Sequence, residues 1–136
     1  VFLNQLNNEE RSIFLKLAIA IIKADGKLEE KEKLFVAEYS REMGVIDYDL
    51  NENIEPLELA EKIGKDSTDT VKHIFLLELV ALANADGEFA ESEKSLILSL
   101  LQKFGLAENQ LNDCLKLLVE YNNISAKLTS FIQGAK

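Results

Sequence analysis

The triplet Ala-Asp-Gly occurs twice, at Ala24-Asp25-Gly26 and at Ala85-Asp86-Gly87, an offset of 61 residues. Sliding the chain by that offset lays Ile13-Phe14-Leu15 on Ile74-Phe75-Leu76, Ala20 on Ala81 and Glu30 on Glu91. It also lays Glu32-Lys33 on Glu93-Lys94 and Gly44 on Gly105, so that 11 of the 32 positions from 13 to 44 are identical. Shared helical periodicity accounts for coincidences among apolar residues but not for those at Gly, Asp and Glu. The chain therefore reads as a duplication, and a unit built twice narrows the possible folds more than any single motif.

Each copy has the same grammar. A nearly all-round apolar helix, about Glu9–Ala24 and then about Asp69–Ala85, is expected to stop at the Gly of the triplet, where a left-handed residue can end it. An apolar residue two positions on, Leu28 or Phe89, is expected to pin the turn to the core. A one-sided helix follows, about Glu30–Met43 and about Glu91–Phe104, with apolar residues at three-to-four spacing. Gly44-Val45 and Gly105-Leu106 have the Gly-plus-apolar form of a Schellman ending. Within the apolar helices, Ile13–Ile22 and Ile74–Ala83 are expected to be the central, most buried pair, with Phe14 and Phe75 inside. Glu78 is the one charge in the second stretch and takes the place of Leu17 in the first. An unpaired carboxylate there would be costly, so it is expected to be partly buried and partnered, with Lys16 as a candidate and a functional role equally open.

Between the copies, Val45–Glu55 reads as a loop. Pro56 suits the first turn of a short helix ending at Gly64, and Asp66, Ser67 and Asp69 are available to cap the next one. About Glu108–Tyr121 is amphipathic through Leu111, Leu115 and Leu118. Asn122-Asn123 reads as a break before a last short helix near Ile124–Gln133. No segment alternates apolar and polar strongly enough for a strand. The expected fold is all-α: one domain over residues 1–136, a compact bundle of about seven helices from two pseudo-symmetric helix–turn–helix repeats. Repeat one covers about 9–64, repeat two about 69–121, and a C-terminal helix about 124–133.

Net charge is −9 with 24 acidic against 15 basic residues. That balance opposes nucleic-acid binding and anionic lipid surfaces, and suits cations or a basic protein partner. Neither apolar stretch approaches the roughly 20 residues needed to cross a bilayer, so no direct membrane insertion is expected. A single Cys, Cys114, cannot close an internal disulfide, which fits a reducing cytoplasm. With one His, His73, and no nucleophile motif, phosphate loop, HExxH or CxxC, most catalytic constellations cannot be assembled, and the chain is read as no enzyme. His73 is read as a structural or surface residue and Cys114 as a buried or half-buried, inert thiol.

Spacing suggests chemistry only at the turns, each Ala-Asp-Gly-x-apolar-x-Glu-x-Glu. The pattern is like the back half of an EF-hand loop, but the first and third ligand positions would fall on Ile21 and Lys23, or Leu82 and Asn84, so neither turn is one. If the fold brings both turns together, Asp25, Glu32, Asp86 and Glu93 supply four carboxylates for a divalent cation, Ca²⁺ or Mg²⁺. The competing reading is structural. Glu32 and Glu93 can reach back to free backbone N–H groups, Glu30 and Glu91 favour the positive end of the helix dipole, and the aspartates can bond their own turn. Duplication does not choose between these, because a fold built twice repeats its caps too.

On these two turns, each set between an apolar and an amphipathic helix over roughly Glu9 to Tyr121, the sequence resembles the TerB family, the tellurite-resistance protein B group. It is also similar to the related N-terminal module of a membrane-anchored DnaJ-like co-chaperone. The resemblance implies a compact helical fold with an internal pseudo-twofold, in a bacterial cytosolic setting tied to stress, tellurite or phage resistance. It implies binding of divalent cations or protein partners through acidic residues, here Asp25, Glu32, Asp86 and Glu93. The chain departs from the family's cap followed by Pro-Glu-Glu: it has Glu29-Glu30-Lys31-Glu32 and Ala90-Glu91-Ser92-Glu93, and Ala90 has no side-chain oxygen for capping.

Overall fold

Asn7 begins the first long helix with a reciprocal pair of bonds. Its Oδ1 accepts from the Glu10 N–H at 2.8 Å, and Glu10 Oε1 accepts from the Asn7 N–H at 2.9 Å, so two of the donors a helix start leaves open are satisfied. In a computed structural model the chain is described except at residues 1, 26–29, 46–47, 51, 85–89 and 135–136; for residues 25, 31 and 32 the backbone alone is described. Among the described residues six α-helices run in order: α1 (Asn8–Ile22), α2 (Glu30–Met43), α3 (Pro56–Asp66), α4 (Asp69–Ala83), α5 (Glu91–Phe104) and α6 (Glu108–Ile132). Short 3-10 turns occupy Leu3–Gln5 and Lys23–Asp25. The described residues include no strand.

α1 and α4 are the central pair, as their sequences require. Phe14, Leu17 and Ile21 on one and Phe75 and Val80 on the other have no exposed surface. Four rings form a chain of edge contacts through four helices. Tyr39 (α2) meets Phe14 (α1) at 5.5 Å, Phe14 meets Phe75 (α4) at 5.5 Å, and Phe75 meets Phe104 (α5) at 5.9 Å. Such edge-to-face pairs contribute beyond the area they bury.

The endings expected at Gly44 and Gly105 are present. Both glycines have positive φ, 71° and 83°. The Val45 N–H donates to the Ser40 carbonyl and that of Leu106 to Leu101, each at 3.0 Å, while Gly44 and Gly105 close the inner bonds to Arg41 and Gln102. Both are Schellman caps. Arg11 then ties the end of α2 to the N-terminal turn, donating to the Met43 carbonyl at 3.1 Å and the Asn4 carbonyl at 3.0 Å.

Three expectations are corrected. The helix from Pro56 does not end at Gly64 but continues to Asp66. Gly64 serves the approach of α5 instead: a Cβ there would run into the Lys103 carbonyl and lie 3.3 Å from the Phe104 Cα. The cap of α4 is Thr68, whose Oγ1 accepts from the Val71 N–H at 3.2 Å, while Ser67 donates to Glu10 on α1. Asn122-Asn123 does not break α6, which is one helix of 25 residues, so the described residues form six α-helices where about seven were expected. Asn costs a helix only tenths of a kcal/mol relative to good formers, and the first left-handed residue after it is Gly134, φ 70°. The expected stops at Gly26 and Gly87, and the pins Leu28 and Phe89, lie outside the described residues.

Candidate functional site

The acidic turns lead into α2 and α5. α5 starts from Ala90, whose extended backbone (φ −59°, ψ 144°) turns the chain into the helix without a side-chain cap. Glu91 and Glu93 occupy its first turn, where the helix dipole favours negative charge. Glu91 is exposed; Glu93 is half-buried and engaged in an interaction. On α2, the equivalent Glu30 points to solvent 3.2 Å from the Lys33 ammonium. Of the four candidate metal-ligating carboxylates, Glu93 is the one whose side chain is described. The side chains of Asp25 and Glu32, and all of Asp86, lie outside the described residues.

One packing relation bears on whether the turns approach each other. The 3-10 turn Lys23–Asp25, which opens the first acidic turn, packs against α5. The Lys23 ammonium donates to the Leu50 carbonyl at 2.7 Å. Backbone leading into the first turn therefore lies beside the helix that carries Glu93. Among the described residues no three His, Cys, Asp or Glu side chains converge as a metal group would need.

Glu78 is buried, at 8% exposure, as its place among apolar residues requires. Its Oε1 accepts from the Phe2 backbone N–H at 3.2 Å. The Lys16 ammonium lies 3.7 Å from Glu52. That ion pair borders a cleft of about 400 Å³ lined by the polar Ser12, Tyr48 and Asp49 and the apolar Leu15, Ile19 and Val45. Lys16 was visible in the sequence as the one charge within Ile13–Ile22, but its partner Glu52, between α2 and α3, carried no spacing signal.

A second groove, about 300 Å³ and mostly apolar, lies between α4 and α6, lined by His73, Leu76, Leu77, Gln110, Cys114 and Leu117. His73 Nε2 and Gln110 Nε2 are 2.8 Å apart in a hydrogen bond, and Gln110 Oε1 also accepts from the Ala107 N–H at 2.8 Å. His73 thus joins α4 to the start of α6. Burial and the neighbouring Asp113 push the Cys114 thiol above its ordinary value, disfavouring the reactive thiolate. No described helix is long and apolar enough to cross a membrane. Compared with family models, curated proteins and solved structures, the chain finds no match in any of the three.

Proposed function

We propose that the chain is a TerB-like, non-enzymatic binding module, built of two pseudo-symmetric repeats, whose paired acidic turns hold a divalent cation, Ca²⁺ or Mg²⁺, or present their carboxylates to a protein partner. The observation that carries this reading is the packing of Lys23–Asp25 against α5. It sets the backbone of one acidic turn alongside the helix that begins with the acids of the other. The pseudo-symmetry is supported by α2 and α5, both of 14 residues, starting at Glu30 and Glu91 and ending on left-handed glycines with the same bond pair. A bacterial cytoplasmic setting and a tellurite or stress connection rest on the resemblance, with the single Cys supporting a reducing compartment.

The second reading is a scaffold whose acidic turns only cap helices. It is favoured by the engaged, half-buried Glu93 in the first turn of α5. Thermal melting separates the two when Ca²⁺ or Mg²⁺ is compared with KCl of matched ionic strength. A cation site stabilises the wild type by about 2.7 kcal/mol at a hundred times Kd, and Asp25→Asn, Glu32→Gln or Asp86→Asn removes the gain. Under the scaffold reading no cation-specific shift occurs, and Glu32→Gln is nearly silent because Gln also serves a capping box.

A further inference from the structure

From the geometry of α6 we infer that this helix is a dimerisation element that pairs antiparallel with α6 of a second copy of the chain. The first half of α6 packs on α4 and α5, but every residue from Val119 to Gly134 is exposed. The exposed half is not uniformly polar. Leu117, Tyr121, Ile124, Leu128 and Phe131 recur at alternating spacings of four and three, and are 58%, 58%, 57%, 59% and 83% exposed. That is the 3.5-residue repeat of a helix–helix seam. Carried one step back, it reaches Cys114 in the groove between α4 and α6. Asn122, Asn123, Ser125, Thr129 and Ser130 occupy the other faces, which also carry the exposed Val119 and Ile132. A contiguous apolar stripe of this length exceeds the scattered exposure of ordinary monomers.

Charge selects the occupant. In a chain of net charge −9, the segment 119–134 carries one acid, Glu120, and one base, Lys127. It offers no field to attract a strongly charged partner or an anionic surface, and none to repel its own copy. Glu120 and Lys127 are seven residues apart and occupy the same flank of the seam. An antiparallel pair with its twofold between residues 122 and 123 sets Tyr121 against Ile124 of the second copy, Leu117 against Leu128, and Cys114 against Phe131. Every seam position finds an apolar or thiol partner. The same register brings Glu120 beside Lys127 of the second copy, twice by symmetry. It also places Phe131, the most exposed seam residue, at the groove beside Cys114. Parallel pairing would set Glu120 near Ser125 and Lys127 near Ile132, with no charge match, and would leave the groove open.

Sedimentation over a concentration series tests the pairing. The wild type is expected to be dimeric. Leu128→Asp, whose far-UV spectrum reports whether the fold survives, is expected to weaken the dimer roughly thirtyfold or more, as loss of a central contact does. Glu120→Lys also weakens it, and adding Lys127→Glu restores it. Orientation is read by oxidation with diamide: Phe131→Cys gives a cross-linked dimer through Cys114 of the second copy, and the wild type, with its two Cys114 thiols at opposite ends, gives none. A monomeric wild type, which would assign the stripe to another protein, overturns the inference. So does a dimer that survives Leu128→Asp, or a wild type cross-linked through Cys114 to Cys114.

Discussion

Phe14 and Phe75 are both fully buried and touch each other edge-on at 5.5 Å. Each truncation to Ala is expected to cost about 3–5 kcal/mol in urea unfolding. Because the rings meet, the double variant is expected to lose less than the sum of the two, by about 0.5–1.5 kcal/mol. Additive losses, or single losses below about 1 kcal/mol, would contradict the ring chain as the centre of the core. Tyr39 makes a different test. Burial, then the negative charges of Glu78, Glu42 and Glu38, push its hydroxyl well above the ordinary tyrosine value. The unfolded chain ionises Tyr39 near pH 10, whereas the folded chain holds the proton longer. The stability this contributes is therefore full below about pH 10 and is lost as pH climbs from there toward the folded value. Tyr39→Phe is expected to melt in parallel with the wild type at neutral pH and to outlast it above about pH 10. At this scale the sequence was informative about burial and silent about partners. Glu78 had to be satisfied, and one of its partners is the Phe2 backbone amide, which charge pairing does not reveal.

The helices divide by how local their signals are. α2 and α5 have the bounds expected from sequence because each starts on a Glu-rich turn and ends on a Gly followed by an apolar residue. The length of α6 was not legible, since two Asn residues weaken a helix without ending it. Gly64 was misread for a further reason: a glycine that ends a helix and one that admits a neighbour look alike until the neighbour, α5, is known. Gly64→Ala separates the two roles by sign. At an ordinary interior helix position the change gains about 0.5–1 kcal/mol. Here the methyl meets the Lys103 carbonyl, and overpacking is expected to cost about 1–3 kcal/mol in thermal or urea unfolding. A gain would show that α3 and α5 are not held at that distance. The acidic turns were legible as a pattern of spacing. The cleft at Lys16 and Glu52 was not, because it joins α1 to a loop with no periodicity.

Taken whole, the molecule carries nine more negative than positive charges on a small surface. Self-repulsion of that kind is screened within about 10 Å at 0.1 M salt. Raising KCl is therefore expected to raise the melting temperature, and a fall would mean that ion pairs such as Glu9–Lys62 and Glu61–Lys65 outweigh repulsion. The surface is also the part of the molecule freest to change. Exposed charges away from the acidic turns and the α6 stripe can be exchanged while Phe14, Phe75 and Phe104, which are buried, stay packed. The contact at Gly64 has no such latitude, because any side chain there must part α3 from α5. In a lineage drifting from this sequence, a glycine in the third helix and another closing the fifth would be held by close backbone approach and left-handed geometry, whatever became of the exposed charges. Kinship would then be read from where two backbones touch.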